Sequence, residues 1–143
     1  MANDEMYTPK WIFDEINTTF HLDVCAPHNG SLHTPAIKWF CICCKDGLQE
    51  KWDGLVWMNP PFSKPSIWVE KFIDHNNGIA LLPLSGNSRW WRNLWNTDAE
   101  VVMVKPNTGF INTDGEERKI MYGISLWALG MGKGHLQSFS KVR

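Results

Sequence analysis

Four residues in the middle of the chain, Asn59-Pro60-Pro61-Phe62, combine side chains that could carry chemistry with a backbone that could hold them still. A residue before proline is pushed toward extended backbone, and each proline ring fixes its own φ near −65°. Both Asn59 and Pro60 precede a proline, so the stretch is stiff. It can present the Asn59 side chain and the Pro60 carbonyl to a cleft as two hydrogen-bond acceptors. An exocyclic amine on a planar group has two N–H donors, which matches them. Accepting both hydrogens draws the nitrogen toward sp³ character and aims its lone pair at an electrophile. Phe62, just beyond, offers a flat apolar face on which a planar ring can stack. Taken alone, a double proline could equally do no more than end a strand.

A second candidate is Asp23, late in the apolar run His21-Leu22-Asp23-Val24-Cys25. An acid at a strand end can hold the charged amino group or the ribose hydroxyls of a nucleoside. A turn-forming role ahead of Pro27 and Asn29 is the competing reading. Cys25, His28, His33, Cys41, Cys43 and Cys44 lie within twenty residues of one another. Paired CxxC spacing is absent, and Cys41-Ile42-Cys43 alternates as a strand would, so small buried thiols are expected rather than a metal site. Arg89-Trp90-Trp91-Arg92 mixes cations with aromatic rings, as a strand-binding surface would. Trp91, Leu94 and Trp95 also have helical spacing, so core packing is expected for two of them. Arg89, Arg92, Lys64 and the 105–119 segment, with Lys105, Asn107, Asn112, Arg118 and Lys119, are candidate phosphate contacts.

The elements that must position these groups can be read from periodicity. Pro9 suits the start of a helix with Thr8 as N-cap, followed by Trp11, Ile12, Phe13, Ile16 and Phe20 at helical spacing. Strands are predicted at 21–25, 36–43, 55–58, 79–84, 101–104 and 122–129. Helices are predicted at 67–73, with Ile67, Trp68 and Phe72 on one side, and at 89–95. The 105–119 segment is predicted as a polar loop. Strands that are apolar throughout and alternate with helices imply an α/β sheet covered on both faces, with the last two strands as an antiparallel hairpin at one edge. Ligands of such sheets gather at the carboxyl ends of the strands, where Asp23 and Asn59 stand.

Composition sets the bounds. A chain of 143 residues, 43% hydrophobic, suits one domain spanning 1–143 with an ordinary core. No apolar run approaches a membrane span. The polar, acidic start and the adjacent Cys43 and Cys44 lead us to expect a cytoplasmic protein with reduced thiols. The net charge of −1 argues against a polyanion-binding tail, but the halves differ: six basic against ten acidic residues up to position 75, then eight against five. That asymmetry is consistent with a nucleic-acid face on the C-terminal half. The nine tryptophans could serve either a core or base stacking.

The Asn-Pro-Pro-Phe loop resembles one form of the Asp/Asn/Ser-Pro-Pro-aromatic signature of methyltransferases that act on planar amino groups. The chain as a whole resembles the phage-type DNA N6-adenine methyltransferases. The matching features run in order: Asp4 with Tyr7-Thr8-Pro9, Leu22-Asp23-Val24-Cys25-Ala26 with Asn29, Asp46-Gly47-Leu48 with Trp52, Val56 to Ser63, Leu81-Leu82-Pro83, and Trp90-Trp91. The resemblance implies a Rossmann-like methyltransferase fold with a minimal target-recognition region, S-adenosylmethionine as cofactor and DNA as partner. It further implies a cofactor set of Tyr7, Thr8, Pro9, Asp23, Cys25, Ala26, Asp46, Gly47, Leu48 and Asn59. Within it, Asp23 is the acid of the first cofactor motif and Asp46 the acid near the cofactor's adenine. Asn59, Pro60, Pro61 and Phe62 are implied as the catalytic loop. The working unit is expected to be a monomer or homodimer in the host cytoplasm, and protection of viral DNA from restriction is the purpose the resemblance suggests.

One departure stands out. No G-x-G follows Asp23, where Cys25-Ala26-Pro27-His28-Asn29-Gly30 is found instead. Two other functions stay open on the residues alone. Similar loops occur in enzymes that methylate protein glutamine or RNA, although those usually keep the glycine-rich motif. A non-catalytic cofactor- or DNA-binding protein could also retain the fold.

Overall fold

A computed structural model describes residues 6–28, 30, 32–41, 45–105, 108–112, 115–119 and 123–141. The expectations attached to Asp4, Asn29, Ile42, Cys43, Cys44, Asn107 and Tyr122 lie outside these residues. The chain runs β1 (Met6–Tyr7), α1 (Lys10–Ile16), β2 (Phe20–Ala26), β3 (Ala36–Cys41), β4 (Val56–Met58), α2 (Pro65–His75), β5 (Gly78–Pro83), α3 (Arg89–Trp95), β6 (Glu100–Met103), β7 (Gly109–Asn112), β8 (Glu117–Lys119) and β9 (Ile124–Leu129), followed by 3₁₀ turns at Gly130–Gly132 and Gln137–Lys141. No described helix is long and apolar enough to cross a membrane.

Six strands form one sheet in the order β3-β2-β4-β5-β9-β6. Ladders β2–β3, β2–β4 and β4–β5 are parallel. Strand β9 runs antiparallel to both β5 and β6, which leaves β6 parallel to the rest. The late pair of strands is thus antiparallel at one edge, as the sequence predicts, with β9 inserted between β5 and the outermost strand β6.

The apolar runs are explained by two cores. On one face Leu22, Val24, Val56, Met58, Ala80, Leu82, Trp127 and Leu129 meet Trp68, Val69 and Phe72 of α2 and Trp90 and Leu94 of α3. On the other, Trp57, Ile79, Leu81, Ile124, Leu126 and Ala128 meet Ile12, Phe13 and Ile16 of α1, with Phe110, Leu136 and Phe139. Alternate residues of a central strand serve opposite cores, so a strand buried on both sides has no polar phase.

Of three local readings, two need correction. Ile67 is 55% exposed, because α2 turns Trp68 and Phe72, one helical turn apart, into the core. In α3 two of the three residues at helical spacing serve the core, as expected: Leu94 is fully buried and Trp91 packs edge-on against Trp127 at 5.0 Å, while Trp95 is 64% exposed and Trp90 joins the inward face. Finally, the 105–119 segment holds β7 and β8, which pair antiparallel, and β7 also pairs with β1 (Met6↔Asn112, Tyr7↔Ile111), making a second, three-stranded sheet.

Strands β2 and β3 are joined by residues 27–35 alone, in which the described residues form no helix. A parallel crossover usually takes a dozen residues or more and includes one. Here the chain turns tightly, Gly30 donating to the Pro27 carbonyl at 2.8 Å with φ +87°, and runs back to begin β3. Among the described residues no helix follows β2 directly, so the tight strand-to-helix turn that a G-x-G serves has no counterpart here.

Candidate functional site

All five parallel strands end on the same side of the sheet, so the residues after Ala26, Cys41, Met58, Pro83 and Met103 share one rim. In register, Asp23 is opposite Trp57, which puts Asn59 two residues beyond the acid's neighbour on the adjacent strand.

The Asn59 loop is seated by burial as well as by proline. Pro60 is buried, Pro61 and Phe62 are half-buried, and Phe62 packs against the core under α1. The Asn59 Nδ2 donates to the Thr8 hydroxyl at 3.2 Å, across 51 positions of sequence. Thr8 is 5% exposed. Its predicted capping role is not observed: α1 begins at Lys10 with Pro9 as N-cap and no side-chain cap. The hydroxyl accepts from the Asn59 amide instead. With Nδ2 so engaged, the other end of the amide, Oδ1, is the acceptor that the loop can offer to a target amine. Thr8 follows directly on β1, so the second sheet, through β7, holds the residue that holds Asn59.

Asp23 is only 2% exposed, and its Oδ1 accepts the Cys25 amide at 3.2 Å, where β2 is irregular between Asp23 and Ala26. Ala26 is buried and Cys25 half-buried, so their contribution to a ligand is chiefly backbone. Cys41 is buried in β3. Among the described residues no group of three His, Cys, Asp or Glu side chains is placed to hold a metal ion.

The Asp46 turn comes against this same strand end. Leu48 donates its amide to Asp46 Oδ1 at 3.0 Å, and Gln49 and Glu50 donate to the Asp46 carbonyl at 2.9 and 3.1 Å. Gly47 is packed so closely on β2 that a Cβ there would stand 2.0 Å from the Val24 carbonyl oxygen. That gap, which only glycine leaves open, seats the turn beside Asp23. From α2, Lys71 donates to the Gly47 and Leu48 carbonyls at 3.0 and 3.1 Å and to the Glu50 carbonyl, and the Trp52 indole donates to Gly47 at 2.7 Å. Burial holds the Lys71 amine below the usual lysine value, against the opposing pull of Asp46 and Glu50. Beside the turn a surface groove is lined by Leu48, Lys51, Trp52, Ile67, Lys71 and His75, among others, and no residue of the Asn59 loop lines it.

Of the residues singled out from sequence, the fold therefore gathers Tyr7 to Pro9, Asp23 to Ala26, Asp46 to Leu48 and Asn59 to Phe62 along one rim. The cations are more dispersed. Lys64 is exposed just ahead of α2, and Arg89 and Arg92 are exposed on α3, which follows β5 on the same rim. Arg118 is exposed on β8 and paired with Glu116 at 3.3 Å, and Lys119 stands opposite Gly109 in the hairpin ladder. Sequence reasoning missed Lys71, which carries no motif, and the seating function of Gly47.

A family model described as DNA N-6-adenine-methyltransferase (Dam) matches residues 1–122. The DNA N-6-adenine-methyltransferase of Haemophilus phage HP1 is 32% identical over 122 residues, covering 77% of this chain and 68% of that protein. The protein of the same description in Escherichia phage T1 is 39% identical over 54 residues, covering 35% of this chain and 23% of that one. No solved structure matches. Every residue gathered on the rim falls inside the matched segment, and the chain belongs to the DNA N-6-adenine-methyltransferase (Dam) family.

Proposed function

We propose that this chain methylates the N6 amine of adenine in DNA, with S-adenosylmethionine as donor and Asn59-Pro60-Pro61-Phe62 as the catalytic loop. The observation that carries the reading is Asn59 itself: a pre-proline residue at the end of a central parallel strand, its amide steadied by the buried Thr8 hydroxyl at 3.2 Å. The residues fit the donor. Two carboxylates, Asp23 of β2 and Asp46 of the turn packed on it, come to one strand end, because Gly47 lets the turn approach the Val24 carbonyl more closely than a Cβ would allow. Acids so placed suit the vicinal hydroxyls of a ribose and the charged amine of a methionine, with Leu48 as an apolar neighbour. Tyr7, Thr8 and Pro9 complete the set.

When bound, S-adenosylmethionine supplies a methyl group already made electrophilic by its sulfonium. The chain supplies alignment and electrostatics. Asn59 Oδ1 and the Pro60 carbonyl accept the two amine hydrogens and free the nitrogen's lone pair for attack. The methylated nitrogen is then acidic enough to lose its extra proton to water, so no strong base is needed beside it. A base inside a duplex cannot reach this rim and has to be flipped out, at a few kcal/mol of unstacking. Stacking on Phe62 returns roughly 1–3 kcal/mol of that. Lys64, Arg89 and Arg92 act on the phosphates. Arg118 and Lys119 of the hairpin reach the duplex farther from the reacting base. The working unit in this reading is a monomer or homodimer, active in the cytoplasm, with residues 1–143 acting as one methyltransferase unit.

Incubation with isotopically labelled S-adenosylmethionine and DNA, then digestion to nucleosides, tests this. Labelled N6-methyladenine is expected. Label in RNA or protein would replace the substrate, and donor binding without any transfer would make the chain a binding protein.

A further inference from the structure

The Asp46 turn is clasped from both sides. Inward, Gly47 rests on the Val24 carbonyl with no room for a Cβ. Outward, the Lys71 ammonium covers three carbonyls of the turn, those of Gly47, Leu48 and Glu50. An ammonium has three donors and no acceptor, so these three bonds use all of them. Lys71 also stands over the Trp52 ring, 5.0 Å from its centroid, while that ring's N–H bonds the same Gly47 carbonyl. Lys71 is therefore committed to protein and has no proton left for a substrate. Its helix is telling. Helix α2 begins at Pro65, three residues after Phe62, so the element that clasps the Asp46 turn is continuous with the catalytic loop.

We infer that Lys71 is a positioning residue for donor binding: it ties the donor-side turn to the helix that follows the target-amine loop, and so holds that turn in the shape that receives the donor. The inference rests on the reading of the Asp46 turn as part of the donor pocket. Its signature is a loss confined to the donor. Without the clasp Asp46 wanders and donor binding weakens, while the loop seated by Thr8 and the prolines keeps its shape and the DNA side is untouched.

The substitution Lys71→Met keeps the apolar stem and removes the donors, and Lys71→Arg restores donors. Calorimetry with S-adenosylhomocysteine should show about tenfold weaker binding for Lys71→Met, the scale of a lost charged hydrogen-bond set. KM for S-adenosylmethionine should rise in parallel, with kcat at saturating donor and KM for DNA within about twofold of wild type. Amide exchange over residues 46–52 should quicken, and Lys71→Arg should recover most of the affinity. Unchanged donor affinity in a folded Lys71→Met protein, or equal losses on the donor and DNA sides, would overturn the inference. Should Lys71→Met fail to fold, Trp52→Phe, which removes the neighbouring donor to Gly47, must show the same donor-only loss or the inference fails. Asp46→Asn separates the two levels. If it leaves S-adenosylhomocysteine binding intact, the donor-pocket reading of the turn is wrong; if it weakens binding and Lys71→Met does not, only the positioning role is.

Discussion

Two segments flank β2 at the carboxyl rim, and they are made rigid in opposite ways. The loop after β4 is stiff through its own covalent structure: two prolines restrict Asn59 and Pro60, and a single side-chain bond from Thr8 adjusts the amide. The turn beyond β3 contains no proline. It is held by groups far away in sequence, the Lys71 ammonium and a glycine gap against Val24, together with the nearby Trp52 indole. The difference follows the tasks. In the proposed function the loop presents acceptors to a base that arrives and leaves, so its shape has to survive with nothing bound. The turn, in the same proposed function, serves a donor pocket that several elements build, and elements packed together can hold each other.

The sharpest way to break this division is at Asn59. Asn59→Ala removes one of the two amine acceptors, and transfer should fall roughly 10²- to 10³-fold, as for other preorganised polar groups at a reacting centre. Binding of S-adenosylhomocysteine, measured by calorimetry, should stay near wild type, because the turn that serves the donor does not depend on the amide. An equal loss of donor binding would mean that loop and turn form one site rather than two.

Gly47→Ala probes the other side. Its Cβ would lie 2.0 Å from the Val24 carbonyl oxygen and 3.1 Å from the Trp68 ring, so the turn has to move off β2. A cost of about 1–3 kcal/mol is expected for such overpacking, with a melting temperature lower by roughly 2–4 °C for each kcal/mol. Donor affinity should drop along with it. A Gly47→Ala protein with wild-type stability and donor affinity would show that the turn is not seated where we place it.

The contrast also explains what could be read from the sequence. Covalent stiffness is written locally, so Asn59-Pro60-Pro61-Phe62 announces both its rigidity and its acceptors. The buried parallel strands are legible for a related reason: Leu55 to Met58 and Ile79 to Leu84 are apolar without a polar phase, as strands covered on both faces must be. Tertiary clasps leave no such mark. Lys71 reads as one more helix-surface cation until the carbonyls beneath it are seen. Thr8 looks like a cap because a threonine before a proline usually is one, yet its partner lies 51 positions away. Strands β7 and β8 were hidden in a polar segment because they complete a sheet with the two-residue β1, too short to register as a pattern. The Asp114-Gly115 dipeptide, a hairpin-turn signal between Ile111 and Arg118, was the clue available.

Thr8→Val sharpens the comparison by removing a single tertiary bond from the covalently stiff loop. A hydrogen bond of this kind is worth about 0.5–1.5 kcal/mol, so kcat should fall roughly 2- to 12-fold, less than for Asn59→Ala. Thr8→Ser, which keeps the hydroxyl, should restore it. If Thr8→Val costs as much as Asn59→Ala, the prolines do not by themselves hold the loop, and the contrast with the Asp46 turn disappears.

The smallest expected effects concern where DNA lies across the two regions. Arg89 and Arg92 are exposed on α3, on the rim shared by both, whereas Arg118 is already paired with Glu116 at 3.3 Å in the hairpin. An exposed pair like that contributes little to stability, so Arg118→Gln should leave the fold unchanged. Each true phosphate contact contributes roughly one unit to the slope of log affinity against log salt. Arg89→Gln and Arg92→Gln should each reduce that slope by about one, and Arg118→Gln by less, since its charge is shared with Glu116. The reverse order would place the duplex over the β7–β8 hairpin. DNA would then press on the sheet that contains β1, and through Thr8 on the amide of Asn59, so that the stiff loop too would take part of its geometry from a distant element.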